Sequence, residues 1–262
     1  MQLSGLIQKM QVSLKNEKVF YRLPIGADLV EMNGLVGQEI SLEFNGQITC
    51  SNCGRRTNKS YSQGFCYPCC QALARCDLCI MRPETCHYHL GTCREPQWGL
   101  ENCFVPTLIY LANSSGVKVG ITKKTNTPDR WIDQGAVQAL PILEVESRLE
   151  SGKFEVALKA FVTDKTNWRK MLKNEVEVLN LPAIRDELFG KIDITNAIKL
   201  DAKPLEIHYP VQKYPSKITS LSFDKTPIIS GVLQGIKGQY LLLDGGVLNI
   251  RKFGSYDLTL KY

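Results

Sequence analysis

Apolar and polar residues alternate through much of the first 49 residues. The segments VFYRLPI (19–25) and QEISLEFNGQITC (38–50) alternate residue by residue, which is typical of β-strands that bury one face. Asn33-Gly34 and Asn45-Gly46 are turn signals in the same region. The pattern therefore predicts an N-terminal β segment over residues 1–49, which leads into a cysteine-rich stretch.

The pattern changes after the cysteine-rich stretch. Two apolar runs, 105–112 and 117–122, flank a short polar turn and predict a β-hairpin. A helix is predicted to begin near Pro128 and to continue as RWIDQGAVQA, because proline suits the first turn of a helix. Residues 140–149 predict a third strand, and Ser151 can cap a second helix. The expected order is strand, strand, helix, strand, helix, and further short helices follow.

Alternation returns after a linker near residues 200–210, and glycines become frequent. Asp244-Gly245-Gly246 is a strong hairpin signal, so the C-terminal segment is expected to form a small β-barrel or sheet. The whole pattern predicts an α+β protein with four segments. These are a β segment at 1–49, a cysteine-rich region at 50–104, an α/β module at 105–200 and a small β domain at 201–262.

The composition is that of an ordinary soluble globular protein, since 44% of the 262 residues are hydrophobic and 22% are charged. No run of about 18 apolar residues is present, so no membrane span is expected. The first residues lack the apolar core of a signal peptide, which predicts a cytoplasmic protein. In that reducing compartment, clustered cysteines bind metal ions rather than form disulfides.

Nine of the ten cysteines lie between residues 50 and 93. Two Cys-x2-Cys pairs are separated by twelve residues, and Gly54 after the first pair suits the tight turn of a zinc knuckle. The second pair runs into QALARC, which can start a helix, as in a treble-clef finger. Four thiolates at tetrahedral corners are preferred ligands of structural Zn²⁺. The sequence predicts a structural zinc site formed by Cys50, Cys53, Cys66 and Cys69.

Another pair with the same spacing follows and predicts a second structural zinc site. The last two ligands stay open, because His87 and His89 lie beside the third cysteine of the set, and His89 is the first substitute. Cys70 and Cys103 are left over, and a buried cysteine without a ligand role is the better interpretation of each. The predicted ligands of the second site are Cys76, Cys79, Cys86 and Cys93.

The distribution of charge is more informative than its sum. The formal net charge is +6, but two zinc sites of four thiolates each would lower it to about +2, so the total does not argue for nucleic acid. Arg55, Arg56 and Lys59 lie in the first cysteine region, where no acidic residue occurs between Cys50 and Cys76. This basic turn can bind phosphate groups of a nucleic acid, and a solvated surface turn is the alternative.

About a quarter of the chain, residues 105–170, resembles the GIY-YIG nuclease superfamily. Leu108-Ile109-Tyr110 and Lys118-Val119-Gly120 match its two motif tripeptides, although the second motif tyrosine is absent and Val119 takes its place. The resemblance implies a β-β-α-β-α module with the tripeptides on the first two strands. Lys118 is expected to point outward from the hairpin, because neighbouring residues of a strand alternate faces.

The resemblance implies a single active site that cleaves phosphodiester bonds. In these nucleases, tyrosine hydroxyls assist the attacking water, an arginine holds the phosphate, and a glutamate holds one divalent cation. Mg²⁺ or Mn²⁺ is therefore expected if this chain is catalytic. Carried over position by position, the resemblance implies a site made of Tyr110, Gly120, Arg130, Glu155 and Asn167.

The chain as a whole also resembles a bacterial family termed domain of unknown function 2797. The phrases CHYHLGTCREPQWG, YLANSSGVKVGIT and RWIDQGA carry this resemblance. Two functions stay open. The first is a zinc-binding protein that associates with nucleic acid, either DNA or RNA, and acts as a metal-dependent endonuclease. The second is a non-catalytic zinc-containing module that binds nucleic acid or a protein partner.

Overall fold

The alternating segments of the sequence form strands in the computed structural model, which describes all 262 residues. The strands are β1 (Gln2–Leu6), β2 (Gln11–Lys15), β3 (Lys18–Ile25), β4 (Asp28–Glu31), β5 (Glu39–Ile48), β6 (Thr107–Asn113), β7 (Val117–Lys123), β8 (Gln138–Val145), β9 (Ile198–Lys199), β10 (Leu205–Glu206), β11 (Ile228–Lys237), β12 (Tyr240–Leu243), β13 (Gly246–Asn249) and β14 (Tyr256–Lys261). The helices are α1 (Tyr67–Ala72), α2 (Pro96–Cys103), α3 (Asp129–Asp133), α4 (Arg148–Leu158), α5 (Trp168–Lys173) and α6 (Leu181–Phe189). The protein is a mixed α+β protein, as predicted.

The chain divides into two units. The first unit is discontinuous in sequence and consists of Met1–Gln71, Leu172–Asn174 and His208–Tyr262. The second unit consists of Ala72–Met171 and Glu175–Ile207. None of the helices combines the length and the apolar composition needed to cross a membrane.

The first unit contains an open six-stranded sheet with the order β1-β14-β5-β11-β12-β13, and a smaller sheet with the order β2-β3-β4. Strands from both ends of the chain thus share one sheet, because β5 pairs with β11 and with β14. Of the two forms expected for the C-terminal strands, a sheet is present and a closed barrel is not. The hairpin predicted at Asp244-Gly245 is confirmed, since Leu243 pairs with Gly246 across it.

The second unit is built on a sheet with the order β10-β8-β6-β7, and β9 also pairs with β8. The central strand β6 is buried at every residue, which explains its continuous apolar sequence. The strands β6 and β7 form the predicted antiparallel hairpin, in which Tyr110 lies opposite Gly120. The predicted order strand, strand, helix, strand, helix is confirmed by β6, β7, α3, β8 and α4.

One face of this sheet carries the apolar core of the second unit. Ile109, Leu111 and Val119 are fully buried there and pack with Phe154 and Leu158 of α4. The alternation of side chains along β6 and β7 places the residues between them on the other face. That second face carries Tyr110 of β6 and Lys118 and Gly120 of β7.

Three local boundaries differ from the sequence predictions. The first helix is shorter than expected, because Gly135 takes a left-handed conformation with φ 70° and the chain enters β8 at Gln138. Ser147, rather than Ser151, caps α4, and its hydroxyl accepts a hydrogen bond from the Glu150 N–H at 3.2 Å. Asn45-Gly46 is not a turn, since both residues lie inside β5.

Candidate metal centre and polar site

The first cysteine cluster brings its four predicted ligands together. The Sγ atoms of the set all lie within 4.8 Å of one another, and the Cys53 and Cys66 sulfurs are 3.7 Å apart. A tetrahedral zinc ion with Zn–S bonds of about 2.3 Å requires sulfurs about 3.8 Å apart. The sulfur positions of Cys50, Cys53, Cys66 and Cys69 therefore fit a structural zinc ion.

Local hydrogen bonds hold this cluster in shape. Gly54 has a left-handed φ of 72°, which lets its N–H reach the Cys50 carbonyl at 2.9 Å. The Cys50 N–H in turn donates to the Arg55 carbonyl at 2.9 Å. The second pair lies at the start of α1, where the Cys66 carbonyl accepts the Cys70 N–H at 2.9 Å. A tight turn and a helical turn thus present the two pairs to one point, as in the predicted knuckle.

The thiol pKa values show how crowded this cluster is. Desolvation opposes ionisation of Cys50, but backbone N–H groups of Cys66, Cys53 and Asn52 outweigh it and lower the pKa of Cys50 to about 6. The Asn52 amide favours the Cys69 thiolate, but desolvation and hydrogen bonds with the other three thiols raise the Cys69 pKa to about 12. Four thiolates therefore do not form together without a cation, and a dication supplies the missing charge.

The cysteines that follow are less compactly placed. Cys79 Sγ lies within 4.8 Å of an Asp77 carboxylate oxygen and a His87 ring nitrogen. Asp77 makes an ion pair with Arg94 at 2.6 Å and accepts the Cys79 N–H at 3.3 Å. Burial raises the pKa of Cys79 to about 11, and the Asp77 carboxylate adds to this effect.

A small cavity collects most of the remaining cysteines. It is lined by Cys79, Cys86 and Cys93 from the predicted second site, and also by Cys103. Cys76 is not among the lining residues, and His89 is exposed. The cysteine spacing in the sequence does not indicate Cys103 as a neighbour of these thiols.

A separate cluster of polar residues surrounds Tyr110, on the face of the second unit's sheet that lies opposite the apolar core. This face is called the polar face. The Tyr110 side chain is fully buried and covers Gly120, where an added Cβ would lie 2.6 Å from the phenolic oxygen. The Tyr110 hydroxyl accepts a hydrogen bond from Gln134 Nε2 at 2.7 Å. Burial raises the pKa of Tyr110, while the positive charge of Arg130 acts in the opposite direction.

Lys118 lies on the same face as Gly120, two residues before it in β7. The side chain is 7% exposed, so the expectation that it points outward is wrong. Burial lowers the pKa of Lys118 to about 8, and the Arg130 charge contributes to this shift. Val119 is on the opposite face, in the apolar core, so its side chain lies on the other side of the hairpin from Tyr110.

Arg130 and Glu155 complete this polar cluster. Arg130 is half-buried in α3, and both residues act electrostatically on Tyr110 and Lys118. Glu155 in α4 has a side chain that is 14% exposed and pairs with Lys159 at 3.7 Å. Burial raises the pKa of Glu155, and the nearby carboxylates of Asp164 and Glu84 add to the effect.

The fifth residue of the predicted site, Asn167, has a different local role. Its side-chain oxygen accepts the Lys170 N–H at 3.2 Å at the start of α5, and its own N–H donates to Ser115 Oγ at 2.9 Å. Asn167 is therefore a helix-capping residue in this structure. The predicted phosphate contacts of the first unit, Arg55, Arg56 and Lys59, are all exposed.

The fold and the first cluster define a mixed α+β protein with a tetra-cysteine site that can hold a metal ion. A family model matches residues 37–258, and the chain therefore belongs to the family described as Protein of unknown function (DUF2797). This confirms the resemblance drawn from the three sequence phrases. No curated protein and no solved structure matches the chain.

Proposed function

We propose that this chain is a zinc-stabilised protein that binds nucleic acid and hydrolyses one of its phosphodiester bonds. The observation that carries the proposal is that Tyr110 and Lys118 lie on one face of the β6–β7 hairpin and that Arg130 and Glu155 both act electrostatically on them. A phenol, two cations and a carboxylate at one point are the groups that phosphodiester hydrolysis uses. The GIY-YIG-like order of β6, β7, α3, β8 and α4 is consistent with this chemistry.

Each side chain has a distinct role in the proposal. Arg130 offers a planar guanidinium to the phosphate, which suits bidentate recognition of its oxygens. Tyr110, held by Gln134, orients the attacking water through its hydroxyl. Lys118 lies on the same face of the hairpin as Tyr110, and its pKa of about 8 allows it to exchange a proton near neutral pH.

The surroundings of Glu155 fit a divalent cation. Burial, and to a smaller extent the nearby carboxylates, raise the pKa of Glu155, and Glu84 beside it has a buried Oε2 atom with no hydrogen-bond partner. Glu155 would hold Mg²⁺ or Mn²⁺, with Glu84 adjacent, and the bound ion would supply charge stabilisation for the leaving oxygen. A dication would also relieve the repulsion among these carboxylates.

The exposed basic turn gives the proposal a second surface for nucleic acid. Arg55, Arg56 and Lys59 extend from the first cysteine cluster and have no acidic neighbour in the local sequence. Lysine and arginine side chains of this kind neutralise phosphates without reading the bases. DNA and RNA are therefore both candidate ligands of this surface.

The experiment is a cleavage assay on single- and double-stranded DNA and RNA, with Mg²⁺ or Mn²⁺. Arg130→Ala and Glu155→Gln should each lower the rate by about 10²–10³, because each removes a preorganised charge-stabilising group. Glu150→Gln is the matched control, since Glu150 lies on the same helix and pairs at the surface with Lys153 at 2.7 Å. An equal loss of activity in the Glu150 variant would assign the effect to the helix rather than to the site.

A non-catalytic binding module is the second candidate function, and two observations favour it. The second motif tyrosine is absent, with Val119 at its place, and Glu155 already has a partner in Lys159. In that case the protein retains salt-dependent affinity for oligonucleotides but cleaves none of them with either metal. Absence of both cleavage and binding would reject the two candidate functions together.

A further inference from the structure

The helix α2 brings an unassigned cysteine to the second cysteine region. Gly99 and Cys103 are separated by one helical turn and are both buried, so they share the inner side of α2. A Cβ atom on Gly99 would lie 3.4 Å from Cys93 Sγ and 3.1 Å from the Tyr88 ring. The glycine thus lets α2 pack directly on the loop that carries Cys93, and Cys103 follows on the same side.

Four thiols surround one cavity as a result. Its lining includes Cys79, Cys86, Cys93 and Cys103. Cys79 is influenced electrostatically by Cys86 and Cys103, and Cys103 is influenced by Cys86 and Cys93, although no three of these sulfurs lie within 4.8 Å of one another. Cys76, in spite of its Cys-x2-Cys spacing with Cys79, does not line this cavity.

Arg148 is an independent indication of negative charge at this place. One of its amino groups donates to the Ile80 carbonyl, while its buried Nε has no hydrogen-bond partner. No carboxylate forms an ion pair with it, and Cys103 and Cys79 are the groups that would favour its charge most if they were ionised. Arg148 as a whole is half-buried, and a guanidinium partly removed from water without a counter-charge is unfavourable. A zinc ion bound to four thiolates has a net charge of about −2 and supplies that counter-charge.

We propose that Cys79, Cys86, Cys93 and Cys103 bind a second structural zinc ion, with Arg148 as the neighbouring cation. Cys103 takes the place that the spacing in the sequence assigned to Cys76. Lys123 adds a further positive influence on Cys103. This assignment is independent of nucleic-acid binding and of cleavage.

The alternative ligand set of Asp77, Cys79 and His87 is less suitable. The Asp77 carboxylate is engaged by Arg94 at 2.6 Å and by the Cys79 N–H. Both ring nitrogens of His87 also have neighbours, with Nδ1 2.7 Å from Thr92 Oγ1 and Nε2 3.6 Å from Asp77. These residues hold the turn around Cys79 in place and leave the four thiols as the metal donors.

The first test is the zinc content of the purified full chain, measured by elemental analysis without chelator. The wild-type protein should contain about two zinc ions per chain, and Cys103→Ser should contain about one. Cys76→Ser is the matched control and should retain both. Loss of one zinc ion from Cys76→Ser with retention by Cys103→Ser would overturn the assignment, as would a wild-type content of one.

The second test addresses the case in which Cys103→Ser does not fold. Co²⁺ is exchanged for zinc in wild-type protein and in His87→Ala, and the ligand-field absorption of the two is compared. A four-thiolate site predicts the same spectrum and the same metal content for both proteins, because His87 does not bind the metal. A changed spectrum or a lost equivalent of Co²⁺ in His87→Ala would place histidine in the site and reject the four-cysteine set.

Discussion

The two cysteine clusters differ in how the chain assembles them. In the first cluster, Cys50, Cys53, Cys66 and Cys69 come from two local pairs, and all four sulfurs lie within 4.8 Å of one another. In the second, the thiols come from short turns and from the end of α2, and they surround a cavity instead of a single point. Spacing along the sequence therefore defines a ligand set only when all the ligands lie in one short segment.

The clusters also differ in the positive charges beside them. Those near the first cluster, Arg55, Arg56 and Lys59, are exposed. Beside the second cluster, Arg148 is half-buried and its buried Nε has no hydrogen-bond partner. Exposed cations act at long range and are screened by salt, whereas buried cations act on a particular neighbouring group.

The largest expected effect tests the local cluster. Cys53→Ser removes a ligand whose own side chain is exposed, so little packing is lost with it. The free energy of unfolding should nevertheless fall by about 3 kcal/mol or more, because zinc binding is coupled to folding. Thermal denaturation with zinc analysis checks this. The control is Cys70→Ser, next to the cluster, and equal losses in the two variants would contradict a metal-based effect.

The next effect tests the packing of the polar site. In Gly120→Ala the new Cβ would meet the Tyr110 hydroxyl at 2.6 Å, so the tyrosine must shift. Overpacking of this kind should lower the free energy of unfolding by about 1–3 kcal/mol and weaken any cleavage. Gly190→Ala in the same unit is the control, since its nearest neighbour is at 3.5 Å. Equal stability of both variants would show that Tyr110 is not held against Gly120.

A smaller effect is expected when the exposed positive charges near the first cysteine cluster are removed. Changing Arg55, Arg56 and Lys59 together to alanine should flatten the slope of log K against log salt concentration by about two to three units. The slope is measured by fluorescence anisotropy with a labelled oligonucleotide. An unchanged slope would leave these residues as a solvated turn and remove the first unit from the binding surface.

The smallest effect concerns the buried charge of Lys118. Its pKa of about 8 lies below the ordinary value of 10.5, so the ammonium ion loses its proton as the pH rises through about 8. Oligonucleotide affinity should therefore be higher below that pH and should fall about threefold to tenfold above it. Lys118→Met should abolish this step, because the substitution removes the ammonium group that titrates. A step that persists in Lys118→Met would assign it to another group.

The fold could be predicted from sequence as far as local patterns extend. The hairpin β6–β7 and the turn at Asp244-Gly245 depend on neighbouring residues, and both are confirmed. Alternation along one strand contains no information on its partner, so the pairing of β5 with β11 and β14 could not be predicted. The end of the first helix at Gly135 could not be predicted, because the order of apolar and polar residues typical of a helix continues past this glycine.

The candidate sites divide in the same way. The set Cys50, Cys53, Cys66 and Cys69 follows from two local spacings, whereas Cys103 reaches its cavity only through the packing of α2. One signal was present in the sequence, since Gly99 and Cys103 lie four residues apart on one side of a helix. The location of the Lys118 side chain could be assigned only from the strand register, in which Tyr110 pairs with Gly120 and Ala112 pairs with Lys118.

The discontinuous first unit has a consequence for the order of folding. The strand β5 finds its partners β11 and β14 only after the whole sequence of the second unit, so closure of this sheet is a slow, long-range event. The cysteines that directly follow β5 need no distant residue, because Cys50–Cys69 is a single short segment. Metal binding by this knuckle can therefore precede formation of the sheet. A zinc-loaded knuckle would hold the end of β5 in place before β5 pairs with β11 and β14.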